Sequence, residues 1–266
     1  MLTDIRKKKL TELAEYIAMA HRRGHVVILE DIVGREDLHL HYDSYERTFD
    51  GMLVYDEENF HIHIDNDSGN WQGSRKGNFT LAHELAHYFI DEHRIGLKHF
   101  AFPPHGSRFD LGQQDPKEQE ADHFASNLLM PAGLFRGFKT PREFSMNTIS
   151  LLADYFQTSF MSTALRFSDI GNHSTCIVFS RDNVVKWFKK SSDFPAWPFR
   201  FKVGEQLPAH TVAGDFYRNR SQKYTTIEDV DPTAWFYPAW QIASPMHEQC
   251  YYSDSYNYVL SVLWFD

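Results

Sequence analysis

The stretch Phe79-Thr80-Leu81-Ala82-His83-Glu84-Leu85-Ala86-His87-Tyr88-Phe89-Ile90 constrains this chain most, because it sets three ionisable groups into an apolar pattern of helical period. Residues four apart on a helix share a face, with roughly 5–6 Å between Cβ atoms. His83 and His87 can therefore grip one metal ion together. Glu84 is offset from His83 by about 100° around the axis, so it stands beside such an ion. That is where a base must stand to take a proton from a water that the metal activates. Ala82, Leu85, Ala86, Phe89 and Ile90 wrap the histidines in apolar surface, which predicts a buried helix whose polar groups need partners. The plainer reading is a helix whose histidines only hydrogen-bond to neighbouring backbone.

A catalytic zinc commonly has three protein ligands and one open position. Two residues compete for the third place. His93 has the spacing of a three-histidine site, but that pattern needs Gly at position 90, and Ile90 is expected to continue the helix. Glu118 is preferred. It opens a second predicted helix, capped by Asp115 with Pro116 in the first turn and striped by Ala121, Phe124, Ala125, Leu128 and Leu129. Asp122, four residues on, can hydrogen-bond the outer nitrogen of a ligand histidine and fix its tautomer. Glu118 also stands at the capping-box position relative to Asp115, a purely structural alternative.

These two motifs, Phe79 to His87 and Glu118-Gln119-Glu120-Ala121-Asp122-His123-Phe124-Ala125-Ser126-Asn127-Leu128-Leu129-Met130-Pro131, resemble those of the ImmA/IrrE metallopeptidases. The resemblance covers about residues 5–170. It implies a zincin-like fold, Zn2+ held by His83, His87 and Glu118, and Glu84 as general base. It further implies a protein substrate, namely a transcriptional repressor of a stress, mobile-element or anti-phage response. Ala86 stands where relatives often carry Gly.

The expected fold class is α+β. A zincin-like domain over 1–170 has an active-site helix, a small antiparallel or mixed sheet and a helical C-terminal part. A smaller, aromatic-rich α/β or mainly β domain follows over 171–266 and is a candidate sensor, open to a nucleic-acid or small-molecule activator. Five of the six tryptophans lie in it. Residues 3–23 read as a helix ended by Gly24, and Val26 to Leu29 as a strand or part of a second helix. Leu38 to Tyr42 alternates like a strand, while 51–55 and 60–64 form a hairpin about Asp56 to Asn59. His61 and His63 fall opposite its apolar face and read as solvated. The active-site helix is expected to run to about His93. The long stretch from Arg94 to Gln114 reads as a substrate-contacting loop. His93, His99, His105 and Tyr88 are candidates to stabilise an oxyanion. Residues 147–169 resemble a helix-turn-helix, read as core packing rather than DNA reading. A further hairpin turns about Arg181-Asp182-Asn183.

The net charge of −9 argues against a broad nucleic-acid footprint. A local basic patch of Lys186, Lys189, Lys190, Arg200 and Lys202 stays open. Two cysteines, Cys176 and Cys250, suit a reduced cytoplasmic protein. No apolar run has membrane-spanning length, and the N-terminus does not read as a signal peptide. Two other functions stay open: a regulator that binds DNA or a protein around a structural metal, and a hydrolase of small amides. Glu84 favours hydrolysis, because a structural metal site needs no base.

Overall fold

The computed structural model describes residues 2–101, 104, 106–108, 115–141, 143–217, 223–237, 245–253 and 257–265. The chain divides into two compact units, one of 1–138 with 152–162, the other of 139–151 with 163–266.

The first unit opens with helix α1 (Asp4–His21), capped by the Thr3 side chain. Strands β1 (Arg22–Arg23) and β2 (Val26–Val27) then pair across Gly24, whose φ of 68° is the left-handed turn conformation that glycine adopts without strain. Helix α2 (Leu29–Arg35) follows, so the run at 26–29 is part strand and part helix. Three strands form a mixed sheet: β3 (His39–Asp43), β4 (Gly51–Tyr55) and β5 (Phe60–Asp65). β5 is central, parallel to β3 and antiparallel to β4. The β4–β5 turn is held by the Asp56 carboxylate, which accepts from the backbone N–H groups of Glu58 and Asn59. Leu53, Phe60, Ile62 and Ile64 are buried.

Helix α3 (Arg75–Phe89) carries the histidine motif and is capped by Ser74. Buried Asn70 couples it to the sheet, donating to Asp50 and to the Asp65 carbonyl while accepting from Thr80. The helix does not run to His93. Ile90 is extended (φ −78°, ψ 107°), and a new helix, α4 (Asp91–Lys98), starts there with Gly96 inside it. No glycine is needed for the break. Ile90 is buried, and Asp91 and Glu92 favour a fresh helix N-terminus. Helix α5 (Pro116–Leu129) packs against α1 and α3, and α6 (Ala132–Gly137) follows.

Helices α7 (Met146–Phe156) and α8 (Phe160–Ile170) fill the expected helix-turn-helix segment. The division between units passes through both, not at residue 170. Phe144 and Phe167 stack on each other, and Phe144 meets Trp264 edge-on, which draws this segment into the second unit. Arg166, the cation on which DNA reading would depend, is buried.

The second unit is built on a five-stranded sheet of β6 (Thr175–Arg181), β7 (Val184–Lys190), β8 (Glu228–Val230), β9 (Met246–Ser253) and β10 (Tyr258–Phe265), in the order β7-β6-β10-β9-β8. All its pairings are antiparallel, which fits the mainly β alternative rather than α/β. Asp182 and Asn183 both take positive φ, giving a two-residue hairpin turn. The described helix between strands, α9 (Val212–Phe216), is too short to carry a parallel crossover. Buried Glu248 accepts from the N–H groups of Val212 and Ala213 and from the Trp235 indole; burial pushes its pKa up. Of the five side chains of the possible basic patch, Lys186, Arg200 and Lys202 are exposed and the other two are engaged. Lys189 pairs with Asp169, while Lys190 sits over Phe199 and Phe236 and donates to the Pro195 and Trp197 carbonyls.

Candidate metal centre

The helical repeat of four brings His83 and His87 onto one face of α3, with their Nε2 atoms 3.2 Å apart. Glu118, in the first turn of α5, faces them. Its Oε2 lies 3.2 Å from His83 Nε2 and its Oε1 3.3 Å from His87 Nε2. All three side chains are buried. Among the described residues, this is the one group of three or more His, Cys, Asp or Glu side chains whose ligand atoms converge closely enough to hold a metal ion. Asp115 caps α5 through the Lys117 N–H, and the Glu118 carboxylate is turned to the histidines.

Both histidines are engaged at their outer nitrogens. Asp122 Oδ1 lies 2.9 Å from His83 Nδ1. Burial alone would disfavour a charged His83, but hydrogen bonds to Asp122 and Glu118 outweigh it and raise its pKa well above the ordinary value. The pocket thus favours positive charge at the spot where the three donors meet. At His87 the outer partner is His93, Nδ1 to Nδ1 at 3.1 Å. His93 in turn meets Glu120 at 3.3 Å, and Arg6 from α1 grips both Glu120 and Glu92. Burial and the neighbouring His87 push the His93 pKa down to about 4, so its ring is neutral. His93 therefore stands behind a candidate ligand, not past the cluster. The break at Ile90 puts it there.

Glu84 is 1% exposed and lies between α3 and the start of β4. A Cβ built on Gly51 would stand 2.7 Å from Glu84 Oε1 and 2.7 Å from Thr80 Cγ2, so the carboxylate occupies the space a side chain would need. Gly51→Ala is expected to displace Glu84 and lower kcat/KM for peptide hydrolysis by about tenfold or more, with metal content retained. Steady-state kinetics and metal analysis on one preparation check this.

Sequence reasoning missed Gly51, Arg6 and Glu120. His93 was noticed by its spacing but placed wrongly. Of the oxyanion candidates, Tyr88 donates to Glu36, His99 is exposed at the end of α4, and His105 lies outside the described residues. Ser107, in the expected substrate loop, bridges to Gly51 on the outer edge of β4.

Residues 69–168 match the model of the IrrE N-terminal-like domain, Peptidase_M78, a span that contains every member of the cluster. Residues 69–168 thus form a domain of the ImmA/IrrE family. The match supports a metallopeptidase and implies a metal, for which His83, His87 and Glu118 are a candidate site. Among solved structures, a Mycobacterium tuberculosis transcriptional regulator is similar in fold. Its TM-score is 0.61 at 14% identity, covering 97% of this chain and 76% of that one. A search of curated proteins finds no match. No helix among the described residues is long and apolar enough to cross a membrane.

Proposed function

We propose that this chain is a zinc endopeptidase with a zincin-like catalytic domain, cleaving a partner protein of the helix-turn-helix repressor class. The carrying observation is the convergence of His83, His87 and Glu118 beside a buried glutamate that is not one of the three. The donor set suits zinc: two imidazoles and a carboxylate, with one position left over. Tetrahedral zinc with ligand distances of about 2.0–2.1 Å spaces its donors by about 3.3–3.4 Å. Here the two imidazole nitrogens stand 3.2 Å apart, and each faces one Glu118 oxygen, His83 to Oε2 at 3.2 Å and His87 to Oε1 at 3.3 Å.

When bound, the zinc supplies a Lewis acid that makes water nucleophilic near neutral pH and polarises the scissile carbonyl. His83, His87 and Glu118 hold it. Asp122 and His93 keep the ligand rings in place from their outer nitrogens. Glu84 accepts the proton of the attacking water and returns it to the leaving amine. β3 and the part of β4 beyond the Ser107–Gly51 bridge are the edges of the three-stranded sheet, and an extended substrate segment can pair along one of them.

The second unit is proposed to take the activating signal. Its open cavity of about 720 Å³, lined by Arg200, His210, Asp215 and Tyr237 among others, has room for a small polar activator. A second reading, a metal-stabilised regulator that binds DNA or a partner, draws on the printed description of the structural neighbour as a transcriptional regulator. Glu84 weighs against it. So does His93, which approaches His87 from behind and leaves the fourth metal position to water or substrate.

The test is incubation of the full chain with a peptide library and with candidate repressors, read by mass spectrometry. Cleavage that a chelator stops and added zinc restores is expected. Intact substrates at full zinc load would favour the regulator.

A further inference from the structure

The outer face of the three-stranded sheet carries four histidines. Parallel register sets His39 beside His61 and His41 beside His63, on neighbouring strands β3 and β5. Their rings run nearly parallel, with centroids 4.7 Å apart for His39 and His61 and 4.9 Å for His41 and His63. On the diagonal, His41 Nε2 lies 3.2 Å from His61 Nδ1, the same separation as between the two histidines of the buried cluster.

We propose that His41 and His61 form a second site, on the surface, for a divalent transition-metal cation, independent of the buried cluster. Asp56 stands behind His61. Its carboxylate accepts backbone N–H groups from Asn59 and Glu58 and lies 2.9 Å from His61 Nε2. With two backbone N–H groups already donating to it, the carboxylate acts as the acceptor towards His61. His61 Nε2 must therefore carry the hydrogen, and a neutral His61 offers its lone pair at Nδ1, towards His41. A carboxylate behind a histidine, fixing the tautomer and leaving the other nitrogen for a metal, is the usual outer arrangement of a metal-binding imidazole.

His41 completes the pair. Without metal its Nε2–H donates to His61 Nδ1. Moving that proton to Nδ1 of the same ring frees Nε2, and no charge is created. His63 is engaged by the Tyr45 hydroxyl at 2.8 Å, and His39 stacks on His61, so both act as walls of the site. Two imidazoles completed by water suit zinc, copper or nickel rather than magnesium or calcium. The cation would tie edge strand β3 to central strand β5. The sequence showed only the alternation of His61 and His63 on one strand; the parallel pairing supplies their partners.

Equilibrium dialysis of the full chain against Zn2+ tests this. His41→Gln and His61→Gln should each lose one equivalent that wild type binds, and Asp56→Asn should weaken that equivalent about tenfold. His39→Gln should keep it. His83→Ala should remove a different equivalent, which separates this proposal from the reading of the buried cluster. Thermal unfolding in the absence of zinc confirms that each variant folds. Zinc binding by His41→Gln and His61→Gln equal to wild type would overturn the proposal, as would equal loss in His39→Gln.

Discussion

Glu84→Gln is expected to reduce kcat/KM for peptide hydrolysis by about 10²–10⁴-fold while leaving metal content and fold unchanged. Glutamine has nearly the volume of glutamate, so the tight fit against Gly51 and Thr80 survives. The ligand set is untouched, because Glu84 lies around the helix from His83 and His87. What is lost is the group that can accept a proton. Hydrolysis at a near wild-type rate in a zinc-loaded variant would remove Glu84 from the mechanism.

The second large effect is expected at Glu118. Glu118→Ala leaves two imidazoles and deletes the buried negative charge that offsets the ion, so zinc affinity should fall by more than about 100-fold, beyond the range typical of outer-shell changes. If Glu118 served only the start of α5, the variant would instead lose about 0.5–2 kcal/mol of stability and keep its zinc. The Glu118 carboxylate faces His83 and His87, which weighs against a purely capping role. His93→Ala should behave differently again. It removes the partner of His87's outer nitrogen and should weaken zinc about tenfold without emptying the site. Metal analysis of both purified variants over a graded zinc series distinguishes these outcomes.

The parts of the site that follow a local period were legible. His83 and His87 share a face because they are four apart, and Asp122 follows Glu118 by the same interval. Both hairpins were marked by their turn residues. What depends on distant segments was not legible. Gly51 reads as an ordinary strand start until Glu84 is seen filling the space of its missing side chain. Arg6 and Glu120 are too far apart in sequence for any pattern to pair them, yet their ion pair backs His93. Ile90 suits a helix interior by propensity, and only its burial in the fold explains why the helix breaks there. The unit boundary was hidden for a similar reason. Residues 147–169 read as two helices joined by a short turn, but Phe144 stacks on Phe167 and meets Trp264, close to the last residue in sequence.

Locating the metal tests the central claim most directly. Crystals of the zinc-loaded chain, measured for anomalous scattering at the zinc edge, should show a strong peak bounded by His83 Nε2, His87 Nε2 and a Glu118 oxygen, with Asp122 and His93 behind the two rings. A peak bounded by His93 in place of Glu118, or none among these three donors, would contradict the account.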